Sequence, residues 1–440
     1  MKVNTLLEKL KIYSDLPAED TIMFGFHDFA DHISDVILSQ KIEGVIALDA
    51  DWGMGKTTLL KMIEKKMKEE NIKTVIFNSW HNEKIDIFSA FLNEIERVVS
   101  TDKIKKQVGK SLLSLGLDIF LRKFADMTTA EATEHFKKLQ THSIDLTDIL
   151  KDLIGDDKLV IFIDDLDRCS TDNILEMLEK VKQFFVIPNI IVVMAINLGK
   201  IEKAWALRHS GQIGINEGRE HVEKIFNLKF NINRKKKNDV REFLRDLTSF
   251  DGQFLDNILI FFPHNPRTIK RILSHLYFVL HYFYQDLDAD DGLSPSEFRE
   301  ILGWISLCLN HPHIAKKVQY EPGYLTRASI ICNKIKYYDI FKKFLKGYNN
   351  INEFKTKPTS GEMEYRIGNE KVRIARECIS PKLFELLSSI NDDVASFSIF
   401  KGMSIEFKNI INKDSFARMD NEFTNRIDMM IKKCGLMGAY

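Results

Sequence analysis

Four short runs rich in β-branched and other apolar residues, Val45–Ala50, Lys73–Asn78, Leu159–Asp164 and Ile190–Ile196, are each bounded by polar residues and separated by helical stretches. None shows strict apolar/polar alternation. A strand loses that alternation when neither face meets water, which is the situation in a parallel sheet covered by helices on both sides. Leu228–Ile232 predicts a fifth strand. The expected fold class is therefore α/β, with the parallel sheet as its organising element.

The first run leads directly into Ala50-Asp-Trp-Gly-Met-Gly-Lys-Thr57, and Thr58-Leu-Leu-Lys-Met-Ile63 then reads as a helix. A glycine-rich turn from a buried strand into a helix aims backbone N–H groups and a helix N-terminus at one anion. In the pattern G-x-x-x-x-G-K-[ST], Lys56 reaches the β- and γ-phosphates of a nucleotide and the Thr57 hydroxyl ligates Mg²⁺. Ala50 stands where the first Gly of that pattern belongs. Gly53 and Gly55 still supply positions without Cβ, so the backbone can approach a phosphate closely.

Lys158-Leu-Val-Ile-Phe-Ile-Asp-Asp-Leu-Asp167 is an apolar run ending in carboxylates. A strand end of this kind supplies a carboxylate to the Mg²⁺ of a phosphate-loop protein, and Asp164 occupies that position. Hydrolysis also needs a group that orients or deprotonates water. Asp165 comes next in sequence and Asp167 two residues later; the alternative for both is a solvated loop or a cap for a helix beginning near Thr171. Asn197, at the end of the Ile190–Ile196 run, stands at the carboxyl edge where ligands gather in open α/β sheets. It could sense a γ-phosphate or cap the helix that starts at Leu198. Asn265-Pro-Arg-Thr-Ile-Lys-Arg271 opens a further helix, from which Arg267 or Arg271 could reach a phosphate or simply face solvent.

At 440 residues and 44% hydrophobic content the chain can bury a sizeable core. Lys plus Arg equals Asp plus Glu at 63 each, so no overall field draws it to nucleic acid or an anionic membrane. Five widely spaced cysteines fit neither a disulfide framework nor a C-x-x-C zinc site, and a reducing cytoplasm suits them. No segment reaches the roughly 20 apolar residues needed to span a bilayer; Leu112–Leu121 is interrupted by Asp118. Asp286–Gly292 lacks the ligand spacing of a calcium loop, His311-Pro-His313 has no accompanying Cys or carboxylate set, and Arg234–Lys237 reads as a solvated basic linker. The expected organisation is a core over residues 1–232 with a helical insertion at about 100–157, a helical lid over 233–290, and a mostly helical region over 291–440.

Trp52-Gly-Met-Gly-Lys-Thr-Thr58, Phe77-Asn-Ser-Trp-His81, Asp164-Asp-Leu-Asp-Arg-Cys169, Val222-Glu-Lys-Ile-Phe226 and Asn265-Pro-Arg-Thr-Ile-Lys-Arg271 together resemble, in order and spacing over about residues 15–285, the KAP family of P-loop NTPases. The resemblance implies an ASCE-type sheet, in which an extra strand lies between the Walker A and Walker B strands, followed by a helical lid. It implies ATP or GTP with Mg²⁺, bound by Trp52, Gly53, Met54, Gly55, Lys56, Thr57 and Thr58, with Thr57 and Asp164 at the metal. It also favours a functional place for Arg267. Family members are implicated in bacterial defence against phage and in membrane-linked signalling in animals, and many carry transmembrane helices before the Walker B element, where this chain has only the amphipathic Lys106–Phe124 segment. An Asp is common in the family where Asn197 stands.

The leading expectation is a cytoplasmic, Mg²⁺-dependent NTPase, ATP favoured, acting as a nucleotide-driven switch through Lys56, Asp165, Asp167, Asn197 and Arg267, with an anti-phage setting and partner proteins encoded in the same operon. One alternative is an oligomeric ATP-driven remodeller of nucleic acid or protein, a homo-oligomer completing its site with Arg168, Arg208 or Arg219 of a neighbouring copy. Another is a nucleotide-binding scaffold that hydrolyses slowly.

Overall fold

The structure, a computed structural model, describes residues 2–17, 23–39, 44–83, 87–99, 157–182, 189–208, 219–220, 222–232, 236–284, 292–320, 362–367, 370–375 and 394–403, with single positions at 328, 332 and 425. All but the last residue of the insertion expected at about 100–157, the acidic run Asp286–Asp291, and Cys378 and Cys434 lie outside the described residues. The chain divides into two compact units, Leu16–Lys235 and Met1–Asp15 with Lys236–Tyr440.

The first unit is built on five strands, β1 (Gly44–Asp49), β2 (Lys73–Asn78), β3 (Leu159–Asp164), β4 (Ile190–Ile196) and β5 (Leu228–Asn231). They lie in the order β2-β3-β4-β1-β5, and every pairing is parallel. β4 therefore separates β1, which feeds the glycine-rich loop, from β3, which ends in the carboxylates. This is the extra strand of the ASCE arrangement, and the fold expected from the sequence is borne out.

The absence of alternation has a direct cause. Val45 and Ala47 of β1, Ile161 and Ile163 of β3, and Val192 and Met194 of β4 enter one core. Ile46 and Leu48, Val160 and Phe162, and Ile191 and Val193 enter the other. The first core is closed by Ile87, Phe91 and Ile95 of the helix Ile87–Val99 and by Leu178 and Val181 of Thr171–Val181. The second is closed by Phe26, Ile33 and Ile37 of Phe26–Leu38 and by Leu59, Ile63 and Met67 of Lys56–Glu69. Each such side chain contributes on the order of 1.5–3 kcal/mol by leaving water. The two edge strands, β2 and β5, are partly exposed.

The Val222-Glu-Lys-Ile-Phe226 motif has a structural part in this sheet. Val222, Ile225 and Phe226 join the first core, and the Asn227 side chain accepts from Val45 N at 2.8 Å while Asn227 N donates to Val45 O at 2.9 Å. Gly44 makes that contact possible, because a Cβ there would lie 2.0 Å from Asn227 Oδ1, and its φ of +115° is one that side chains resist.

The described residues of the second unit are largely helical. Its helices include Lys237–Thr248, Gly252–Ile258, Pro266–Tyr284, Pro295–Asn310 and Pro312–Tyr320. Their starts are written in local chemistry: the Ser294 hydroxyl and the Glu297 carboxylate accept from each other's backbone N–H, and Pro295 follows the cap. Asn265 Oδ1 accepts from Arg267 N and Thr268 N, so the Pro266–Tyr284 helix begins at the motif that predicted it. Residues 2–15 belong to this unit, where Tyr13 donates through its hydroxyl to Leu247 O at 2.7 Å and through its amide to Ser274 Oγ at 2.9 Å. Within the region expected to be mostly helical, Glu362–Ile367 and Glu370–Ala375 form an antiparallel strand pair that the sequence reading did not anticipate.

Candidate nucleotide-binding site

The loop after β1 crosses from strand to helix through two left-handed glycines, Gly53 at φ +83° and Gly55 at φ +93°. Gly55 is also the N-cap of the helix Lys56–Glu69 and has no side chain to occupy the first-turn N–H groups. A Cβ on Gly55 would meet the Phe26 ring at 2.6 Å. The loop is therefore packed from behind by Phe26, and no side chain caps the helix start at which an anion would bind. Ala50 is fully buried in the second core, and its N–H donates to Ile196 O at 3.0 Å. The residue that departs from the glycine pattern adds a methyl group to that core, while its backbone joins the loop's base to β4.

Lys56 is only 7% exposed. Its Nζ donates to Ala50 O at 2.8 Å and Asp51 O at 3.4 Å, and stands 4.0 Å from Asp167 Oδ2. Burial pulls its ammonium below the ordinary lysine range, against the attraction of Asp167, Asp164, Asp165 and Asp49. A phosphate would add negative charge beside an ammonium that is short of solvation.

The Thr57 hydroxyl donates to Asp164 Oδ2 at 2.6 Å, bringing together residues from the loop and from the end of β3. Asp164 Oδ1 accepts from Asp165 N at 2.9 Å. Burial, and then the neighbouring Asp165, push the Asp164 carboxyl up to about 6, while the Thr57 hydrogen bond pulls it the other way. A buried carboxylate that is costly to ionise beside a hydroxyl is a hard-oxygen donor set with unmet demand for positive charge, and it fits Mg²⁺.

Asp165 takes a left-handed conformation, φ +56°. Its Oδ1 pairs with Arg168 Nε at 2.7 Å and its Oδ2 accepts from Asn78 Nδ2 at 3.1 Å. Asp167 is 6% exposed and faces Lys56. Neither Asp165 nor Asp167 caps the following helix; Ser170 Oγ accepts from Asn173 N instead. Of its two expected roles Asn197 takes the cap, its Oδ1 accepting from Lys200 N at 3.0 Å, while its Nδ2 donates to Asp51 Oδ1 of the loop at 3.0 Å.

The structure thus brings Trp52, Gly53, Gly55, Lys56, Thr57, Asp164, Asp165, Asp167 and Asn197 to one end of the sheet. Arg267 belongs to the other unit, where it stands 3.7 Å from Asp15. Among the arginines considered for a neighbour's site, Arg168 is held by Asp165, Arg208 stands 3.6 Å from Glu179, and Arg219 stands 3.5 Å from Glu223. Asn78 is the site residue that sequence reasoning missed. Its signal was its position, since it ends β2 in register with Asp164.

No group of His, Cys, Asp and Glu among the described residues forms a separate metal cluster, and no described helix is long and apolar enough to cross a membrane. Among solved structures the chain is similar to Cdc6p of Pyrobaculum aerophilum, at 12% identity over 83% of this chain and 93% of that one with a TM-score of 0.38. It is also similar to the Aeropyrum pernix ORC2 protein (13%, 85% and 94%, TM-score 0.33) and to Drosophila ORC bound to DNA (10%, 88% and 92%, TM-score 0.40). No curated protein matches it. A family model described as the KAP family P-loop domain matches residues 26–283. With that match over more than half its length, the chain belongs to the KAP family of P-loop NTPases.

Proposed function

We propose that this chain is a Mg²⁺-dependent nucleoside triphosphatase, with ATP favoured over GTP, that works as a nucleotide-driven switch. The observation that carries the proposal is the 2.6 Å contact of Thr57 with Asp164 beside the buried ammonium of Lys56. Thr57 and Asp164 would hold Mg²⁺, which neutralises phosphate charge when bound.

In this reading Lys56 exchanges its hydrogen bonds to Ala50 O and Asp51 O for phosphate oxygens, and Asp167 keeps its charge close to the loop. Asp165 orients the attacking water, and Asn197 reads the state of the loop through Asp51. Because phosphoryl transfer depends on positioning and charge stabilisation, small losses of alignment at Asp165 or Asn197 lower the rate more than the affinity.

The helical segment 237–284 is assigned the part of the element that responds, with Arg267 reporting the phosphate and Asp15 its resting partner. Ordering of a mobile element by a terminal phosphate is an established way to turn nucleotide state into partner binding. The anti-phage setting, and partners encoded beside this chain, rest on family membership. Hydrogen exchange across residues 237–284, compared between ADP and a non-hydrolysable ATP analogue with Mg²⁺, tests the switch. Different protection in the two states supports it, and identical protection overturns it.

A further inference from the structure

Arg168 stands beside the phosphate loop without being part of it. Its guanidinium carbon lies 5.8 Å from the ring centre of Trp52 and 5.3 Å from that of Trp80, within cation–π reach of both. The two indoles come from different elements, the loop after β1 and the turn after β2, and they are 53% and 48% exposed. A flat, always-charged guanidinium suits such a place because its plane can stack on ring faces while its edge meets a carboxylate, a geometry that the compact ammonium of Lys matches less well.

The other end of the constellation is Asp165. Its Oδ2 accepts a hydrogen bond from Asn78 Nδ2 at 3.1 Å, and its Oδ1 stands in an ion pair 2.7 Å from Arg168 Nε, without hydrogen-bond geometry. The residue is held at φ +56°, a conformation that side chains other than Gly adopt at a cost and keep where the surroundings over-determine it. Asn78 and Arg168 meet its carboxylate, and Trp52 and Trp80 in turn meet Arg168.

We propose that Arg168 is a positioning residue, held by Trp52 and Trp80, that fixes the orientation of the Asp165 carboxylate at the mouth of the phosphate loop and ties that orientation to the loop through Trp52. The inference rests on the reading of Asp165 as the residue that orients attacking water. It also gives the exposed Trp52 and Trp80 a task, and it commits Arg168 to its own subunit.

The four tryptophans supply a readout independent of turnover. Trp205 and Trp304 are buried, so acrylamide-quenchable emission comes from Trp52 and Trp80. In the full chain without nucleotide, Arg168→Ala is expected to raise quenching of that emission by about half or more, and Arg168→Lys to give an intermediate value, following the stronger ring contacts of Arg. With ATP and Mg²⁺, Arg168→Ala is expected to lower kcat at least about tenfold while the affinity for a non-hydrolysable analogue stays within about threefold, the split that separates positioning from binding. Wild-type quenching in Arg168→Ala, kcat within about twofold of wild type, or affinity falling in parallel with kcat would each overturn the proposal. A wild-type chain that shows no turnover removes the parent reading as well, and that failure is seen in the wild type before any variant is made.

Discussion

Thr57 and Asp164 are 107 positions apart in sequence, yet the hydroxyl of one donates a 2.6 Å hydrogen bond to the carboxylate of the other. Two oxygens are thereby held together before any cation is bound. Thr57→Val removes the hydroxyl at nearly constant volume. It is expected to leave the metal-free melting temperature within a few degrees, since one hydrogen bond is worth about 1 kcal/mol, and to lower Mg²⁺-dependent stabilisation by nucleotide. Thermal melting with a non-hydrolysable ATP analogue, with and without Mg²⁺, checks it. Equal Mg²⁺ dependence in the variant and the wild type would refute the assignment.

The Asp164 carboxyl is raised from 3.8 to about 6 by burial and by Asp165. The folded chain therefore holds a proton there more tightly than the unfolded chain does. The stability this group contributes is fully present below about pH 4 and is lost as pH rises through about 6, for a total on the order of 3 kcal/mol. In chelator, Asp164→Asn is expected to remove this component of the pH dependence and to make the metal-free chain more stable than wild type at pH 8. Urea unfolding at pH 5 and pH 8 measures both. A variant less stable than wild type at pH 8 contradicts the argument.

Gly55 is fixed by two constraints, its φ of +93° and the Phe26 ring 2.6 Å from where a Cβ would sit. Gly55→Ala is expected to cost about 1–3 kcal/mol in stability and to weaken nucleotide binding, because the helix N-terminus shifts with the loop. Adding Phe26→Leu should recover only the steric part. Chemical denaturation of the single and double variants separates the two contributions, and full recovery in the double variant would show that the backbone conformation carries no cost.

Asn197 caps Lys200 with its oxygen and holds Asp51 with its nitrogen. Asn197→Asp keeps the cap but places a second carboxylate against Asp51, whereas Asn197→Ala loses both contacts. The carboxylate variant is expected to keep its melting temperature within a few degrees, and the alanine variant to lose about 1 kcal/mol, the usual value of a cap. Both should lower turnover. If Asn197→Asp turns over like wild type, the link to Asp51 plays no part.

The sheet was legible because its inner strands β1, β3 and β4 are buried on both faces. Ile190–Ile196 has no polar residue, and the structure buries all seven of its positions. The site was legible where a residue's chemistry and its place agree, as for Lys56, Thr57 and Asp164. Asn78 sits in the Phe77-Asn-Ser-Trp-His81 motif, but its hydrogen bond to Asp165 was not legible until β2 was known to lie beside β3. The strand pair Glu362–Ile367 and Glu370–Ala375 was missed because its Glu, Lys and Arg residues are weak strand formers. Gly368-Asn369 between the two runs was the available hairpin signal.

Phosphate release from ATP by the purified full chain tests the central claim most directly, measured with Mg²⁺, with chelator, and in Lys56→Ala and Asp164→Asn. Steady turnover with Mg²⁺ is expected in the wild type, none with chelator, and a fall of at least about a hundredfold in each variant, the scale seen when charge stabilisation of the transition state is removed. Full turnover in Lys56→Ala, or none in the wild type, would contradict it.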